Sequence, residues 1–171
     1  MKNKKKLILL SLVQYILLLS LLGSILYFKQ TADTFKIEAE SLDPIEPLLG
    51  HYAALSYKFD EITDKEWKGK AKPKEGQKIY IVFKKSEKGF YVFDFVTDQR
   101  PEKSKYISAK ISYLYDSYDN GEKVININHN LDRFYIPEHQ MDEYNQPGQD
   151  YIVTVKHKKD RAIVQTVDVS N

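Results

Sequence analysis

Leu7–Phe28 is a run of 22 residues without a single charge, entered through Lys2, Lys4, Lys5 and Lys6. As a helix rising about 1.5 Å per residue it would measure roughly 33 Å, enough to cross a bilayer core of about 30 Å. Such a segment decides what the rest of the chain must be, namely a domain held at a membrane. A cleavable secretory signal also starts basic, but its apolar region covers only about 7–15 residues and ends at a small-x-small site. Here the exit reads Leu26-Tyr27-Phe28-Lys29-Gln30-Thr31-Ala32, so cutting after Ala32 would put Gln30 at the outer specificity position. The run therefore reads as a retained single-pass anchor. A lipoprotein is excluded, because the chain has no cysteine to acylate.

The excess of lysine at the N-terminal flank places the N-terminus in the cytoplasm and the remainder on the far side. The expected organisation is a basic cytoplasmic tail over residues 1–6, a transmembrane helix over 7–28, a linker over 29–34 and an extracytoplasmic domain over 35–171. Residues 7–28 would contact the lipid bilayer. Inside that span Gln14 can hydrogen-bond to a neighbouring helix, and Ser20 and Ser24 form a small-xxx-small pair. These three are candidate contacts with another membrane helix. The plainer alternative is that a lone helix tolerates them.

The formal charge of +2 conceals an asymmetry. Five of the 26 basic residues (Lys2, Lys4, Lys5, Lys6, Lys29) lie in the anchor region and none of the 24 acidic ones do, leaving 21 against 24, a formal −3 for the outer part. Nucleic acid is not the expected partner, since its binders carry a basic patch. Thirteen tyrosines and eight phenylalanines suit strands better than helices.

Period-two alternation dominates the outer part. Phe35–Glu40 and Tyr52–Phe59 are strand candidates. Ile79–Phe83 and Phe90–Val96 flank a hairpin turn. Tyr106–Tyr115 places Ile107, Ala109, Ile111, Tyr113 and Tyr115 on one face. Asn120-Gly121 supplies the positive φ of a tight turn, with Val124–Asn128 returning. Tyr151–Val155 and Ile163–Val169 form a last hairpin. The charged stretch Glu61–Gln77 reads as a solvated excursion, with Trp67 pinned to the core. One or two helical turns are expected at Glu138–Tyr144. About eight short strands separated by turns predict an all-β fold, an antiparallel sandwich or small barrel.

Two segments carry a resemblance. Gly50-x-Tyr52-x-x-Leu55-x-Tyr57 resembles the signature of the GDYXXLXY family of membrane-anchored bacterial proteins, with Leu42-Asp43-Pro44 as the approach. His51 departs from it, standing where that signature has Asp. His129–His139 resembles a second family stretch, matched at Arg133, Pro137 and Glu138. Asn130 stands there in place of Gly and is the next residue most tolerant of positive φ. His129 and His139 depart from the pattern. The resemblance implies a bacterial plasma-membrane protein with an outer domain, often encoded near multi-pass membrane proteins, one of which is a candidate partner. It implies no reaction.

Asp43, Gly50, Tyr52, Leu55, Tyr57, Arg133, Pro137 and Glu138 are thus the candidate binding or structural motif. Both segments are expected to be spatial neighbours, with the hydroxyl of Tyr52 or Tyr57 near Arg133 or Glu138. Leu55 and Tyr57 share one strand face, which also fits plain core patterning.

No cofactor or metal is expected. His51, His129, His139 and His157 lack zinc-like spacing, and Asp116–Glu122 fits a hairpin better than a calcium loop. The leading expectation is a non-enzymatic binding module that partners a membrane protein or an envelope component. The alternative is a Ser/Lys peptidase, since Ser41-Leu42-Asp43-Pro44 is similar to the nucleophile region of type I signal peptidases. Lys78 or Lys110 would then be the base that Ser41 needs within hydrogen-bond reach.

Overall fold

The computed structural model describes residues 2–42, 52–118, 121–135 and 150–170. Asp43, Gly50, His51, Pro137, Glu138, His139, Asn120 and the expected helical turns at 138–144 lie outside the described residues, as do the side chains of Ser41 and Tyr52. Two compact units emerge, Met1–Asp33 and Thr34–Asn171.

The first unit is one helix, α1 (Lys2–Thr31). It is long and apolar enough to cross a membrane. Its leucines are exposed, Leu18 and Leu19 at 63% each, as expected of a helix that is apolar all round and not covered by protein.

The second unit is a strongly curled, mixed half-barrel. Its ten strands among the described residues are β1 (Asp33–Leu42), β2 (Tyr52–Ser56), β3 (Glu61–Thr63), β4 (Lys78–Lys85), β5 (Tyr91–Thr97), β6 (Lys105–Asp116), β7 (Lys123–Asn128), β8 (Arg133–Tyr135), β9 (Asp150–Lys158) and β10 (Arg161–Val169). The order is β10-β9-β1-β5-β4-β6-β7-β3, with β2 joining β1 to β8. The expected hairpins are present as antiparallel pairs, β4 with β5, β6 with β7 and β9 with β10. Gly89 (φ 90°) and Gly121 (φ 66°) supply left-handed backbone in the first two turns, a conformation that costs glycine little.

The sheet is not purely antiparallel. β1 meets β5 in parallel, with Ile37 opposite Tyr91. Alternation of side chains sets which face is buried but carries no information on strand direction.

The core is aliphatic and aromatic. Ile79, Ile81, Val96, Ile107, Ile125, Leu131, Tyr151, Val153 and Val155 are all fully buried, each such aliphatic side chain contributing about 1.5–3 kcal/mol relative to exposure. On β6 the expected single face breaks. Ile111 pairs with Ile127 but Tyr113 pairs with Asn126, leaving Ser112 as an extra residue. This bulge reverses the alternation. Tyr113 and Tyr115 therefore turn outward, and Leu114 packs on the core instead.

The excursion after β3 is latched to the sheet. Trp67 bridges Val96 in parallel, with the Lys68 amide on the Val96 carbonyl at 2.7 Å and the Val96 amide on the Glu66 carbonyl at 2.9 Å. The Trp67 indole N–H donates to the Ala71 carbonyl at 3.1 Å. A Cβ at Gly69 would lie 2.3 Å from the Trp67 ring, so the loop closes over the indole only because that residue is glycine. Asp98 accepts the amides of Lys70 and Ala71 at 3.0 and 2.9 Å. Those bonds, Ala71's first, hold its carboxyl below the usual carboxylate range.

Candidate functional site

β2 carries the described part of the first motif and β8 the described part of the second, and the two strands pair. Tyr52 lies opposite Tyr135, Ala53 opposite Phe134 and Ala54 opposite Arg133. Ser56 and Leu55 face Glu40 and Ser41 of β1 on the other side. The described parts of the two motifs are therefore neighbours, built into one three-stranded patch.

Beyond Ser56 the chain turns within three residues, and Asp60 folds back on the strand end. Its Oδ2 accepts the Tyr57 amide at 2.9 Å and the Ser56 hydroxyl at 3.3 Å. Its Oδ1 lies 2.7 Å from His129 Nε2. His129 Nδ1 accepts the Leu131 amide at 3.1 Å. An accepting Nδ1 places the imidazole proton on Nε2, so the ring is the neutral tautomer that donates to Asp60. Asn130 makes this turn with φ 59°, the left-handed conformation its side-chain type tolerates.

Tyr57 closes the circuit. Its ring is 4% exposed, stacks on Phe59 at 4.8 Å and 16°, and meets the edge of His129 at 5.2 Å and 89°. Its hydroxyl donates to the Leu131 carbonyl at 2.9 Å. Burial, followed by the nearby carboxylates of Asp60 and Asp132, pushes that hydroxyl far above the ordinary tyrosine value, so it stays a neutral donor. The expected partner was a side chain of the second motif; the observed one is main chain, two residues before Arg133. Leu55 is 1% exposed and its amide donates to the Asp132 carbonyl at 2.9 Å. A buried polar group left unpaired costs about 1–3 kcal/mol. Here each named group has a partner, so the cluster acts as a lock between the two motifs.

Arg133 lies outside this lock. Its guanidinium is half exposed and 3.5 Å from Asp132. Asp60 and His129, which hold the lock together, carried no signal in the sequence. They are 69 residues apart, and His129 stood as a departure from the motif and as one of four histidines without zinc-like spacing. A cleft of about 310 Å³ adjoins the lock where β1 leaves β5 for β2. Buried Ile37, Ala39, Phe59 and Phe83 line it together with the charged Glu38, Glu40, Lys58 and Asp150.

The lysines of the peptidase alternative lie elsewhere in the sheet. Lys78 and Lys110 face one another across β4 and β6, whereas Ser41 lies on β1 opposite Leu55 of β2. Lys78 Nζ is 2.7 Å from Asp160 Oδ2. That hydrogen bond raises the lysine above its usual value, the reverse of what a neutral base requires. In α1 the Ser20 hydroxyl donates to the Leu17 carbonyl at 2.9 Å, while Gln14 and Ser24 are exposed. Among the described residues no group of three His, Asp or Glu side chains is placed to hold a metal ion.

An apolar helix followed by a curled β domain, with two motif strands clasped by a buried tyrosine, defines the class: a helix-led, mostly β protein. The GDYXXLXY protein family model matches residues 14–167, and the chain belongs to that family. No curated protein and no solved structure matches it.

Proposed function

We propose that this chain is a membrane-anchored binding module. The helix stays in the plasma membrane of a bacterium with its N-terminus in the cytoplasm. The β domain stands outside and engages a membrane protein or an envelope component, without a reaction of its own. The carrying observation is α1, whose uncharged run Leu7–Phe28 is long and apolar enough to cross a membrane. The lysine cluster at its start supports the orientation. Gln14 supports contact with a second membrane helix, because an amide in hydrocarbon gains from a partner. The motif residues support a scaffold role, since Tyr57 and Leu55 are consumed in holding β2 to the turn before β8.

Two experiments test this reading. A reporter active only outside the cytoplasm, fused after Asn171, is expected to be active; activity of a cytoplasm-only reporter at that position overturns the orientation. Mild-detergent purification with mass spectrometry is expected to recover a membrane protein or envelope component in fixed proportion. A protein that leaves the membrane alone and monomeric, and binds no envelope fraction, removes the proposal. Replacing Gln14 by Leu should weaken the co-purification of a membrane protein if that helix is the contact.

A further inference from the structure

The outward face of β4, β6, β7 and β3 carries polar and aromatic side chains, interrupted by Val82 on β4 and Val124 on β7. The register arranges it in rows. Lys78, Lys110 and Asn128 stand abreast on β4, β6 and β7, lining an open groove of about 550 Å³. Past the Ser112 bulge, Tyr113, Asn126 and Glu61 stand abreast on β6, β7 and β3.

The second row is an organised surface. Tyr113 and Tyr115 are 49% and 37% exposed, with ring centroids 5.9 Å apart and planes 35° apart. Tyr115 donates its hydroxyl to Glu61 Oε2 at 3.2 Å, and the Asn126 amide donates to Glu61 Oε1 at 3.3 Å. A carboxylate is thereby fixed beside two open aromatic rings. The first row is close to charge balance, because Asp160 takes Lys78 at 2.7 Å and the Ser108 hydroxyl at 3.0 Å. Lys110 and Glu61 then contribute one charge of each sign.

We propose that this face binds an uncharged pyranose chain, a glycan of the cell envelope. The inference rests on the extracytoplasmic reading above and names its ligand class. A pyranose ring has an apolar C–H face and a rim of hydroxyls. The C–H face packs on the tyrosine rings, whose bodies are apolar and whose tips are polar. The hydroxyls meet a carboxylate acceptor, the Asn126 and Asn128 amides and the Lys110 ammonium, a set that offers both donors and acceptors. An anionic polymer would call for a basic patch, which the paired Lys78 does not provide. A protein interface would call for a contiguous apolar patch, whereas here the row of Lys78, Lys110 and Asn128 and the row of Tyr113, Asn126 and Glu61 both carry charge and amide, beside Val124 and Tyr115. The bulge is the independent observation. Without it Tyr113 and Tyr115 would point to the core; bulges characteristically re-aim side chains in this way.

The test uses the full-length protein in lipid nanodiscs, free of sugar-based detergent. Chitohexaose is titrated by calorimetry, and insoluble chitin, an uncharged pyranose polymer, is used in a sedimentation assay. Saturable binding is expected. Tyr113→Ala with Tyr115→Ala should weaken it about tenfold or more, corresponding to about 1.4 kcal/mol. Glu61→Gln should weaken it by a smaller factor, and Lys88→Ala, in the β4–β5 turn, should leave it unchanged. If the double alanine variant fails to fold by circular dichroism, Tyr113→Leu and Glu61→Gln are read singly, and both must weaken binding. Absence of binding to either glycan overturns the inference, as does binding that survives loss of both rings. Loss of a co-purifying membrane protein in the double variant, without glycan binding by the parent, reassigns the face to a protein partner. Glycan binding that fails while partner capture persists removes this inference alone. A cytoplasmic C-terminus removes the module reading as well.

Discussion

Tyr57, just past the end of β2, and Tyr113, within β6, are the same residue in one β domain, yet one is 4% exposed and the other 49%. At Tyr57 the chain turns and brings in Asp60, His129 and the Leu131 carbonyl, so each polar atom named is answered inside the protein. At Tyr113 a single extra residue, Ser112, reverses the alternation and presents the ring to solvent. The comparison teaches that backbone geometry, rather than residue type, divides the aromatic complement of this domain into an inner set that carries stability and an outer set free for contact. The inner region should be intolerant of change and the outer region tolerant.

The sharpest way to break that contrast is Tyr57→Ala. Loss of a buried aromatic ring should cost about 3–5 kcal/mol, lowering the melting temperature by on the order of 10 °C in a domain of this size. Thermal denaturation followed by circular dichroism measures it, and a change below about 1 kcal/mol would abolish the distinction. Tyr57→Phe keeps the ring and leaves the Leu131 carbonyl unanswered, with an expected loss of about 1–2 kcal/mol in denaturant titration. Asn130→Val places a β-branched residue at φ 59° and should cost about 1–2 kcal/mol. Asn130→Gly should remain close to the parent, which separates backbone shape from any role of the amide. Tyr113→Ala with Tyr115→Ala, on the outer face, should shift stability by about 0.5 kcal/mol or less per site.

Acid should loosen the Trp67 loop. The Asp98 carboxyl is held below its unfolded value by the amides of Ala71 and Lys70. The unfolded chain therefore binds the proton first on acidification, and stability rises with pH across that window. The contribution of Asp98 is present above an unfolded carboxyl value of about 4 and is lost as the pH falls through the folded value. The protection of the Lys70 and Ala71 amides against hydrogen exchange, relative to the intrinsic rate at each pH, should fall there, and Asp98→Asn should remove most of that dependence.

Much of this was legible in the sequence. The hairpins follow from alternation interrupted by turn chemistry, and the Asn130 backbone was readable because few residue types tolerate a left-handed φ. The pairing of the two motif segments was also legible, through their joint occurrence in one chain. The bulge was not, because Ser112 offers no side-chain signal against a strand that simply continues. The parallel approach of β1 to β5 was hidden for a similar reason: Phe35–Glu40 has the same pattern in either direction. The Asp60–His129 contact joins residues 69 positions apart, and neither lies in a spacing that chemistry would single out. The candidate glycan face was invisible because the tyrosines that form it read as core.

The closing of the 64–77 loop over its indole has a practical consequence. Trp67 is the chain's single tryptophan, and it is fastened to the outer edge of β5 rather than sunk in the barrel interior. Excitation at the red edge, where tyrosine does not absorb, therefore illuminates one loop and nothing else. Emission will report whether that latch is shut while the rest of the domain stays dark. A wavelength shift that precedes loss of β-sheet ellipticity would mark the loop as a separately opening unit. Coincident transitions would mean that β5 and its latch come apart as one.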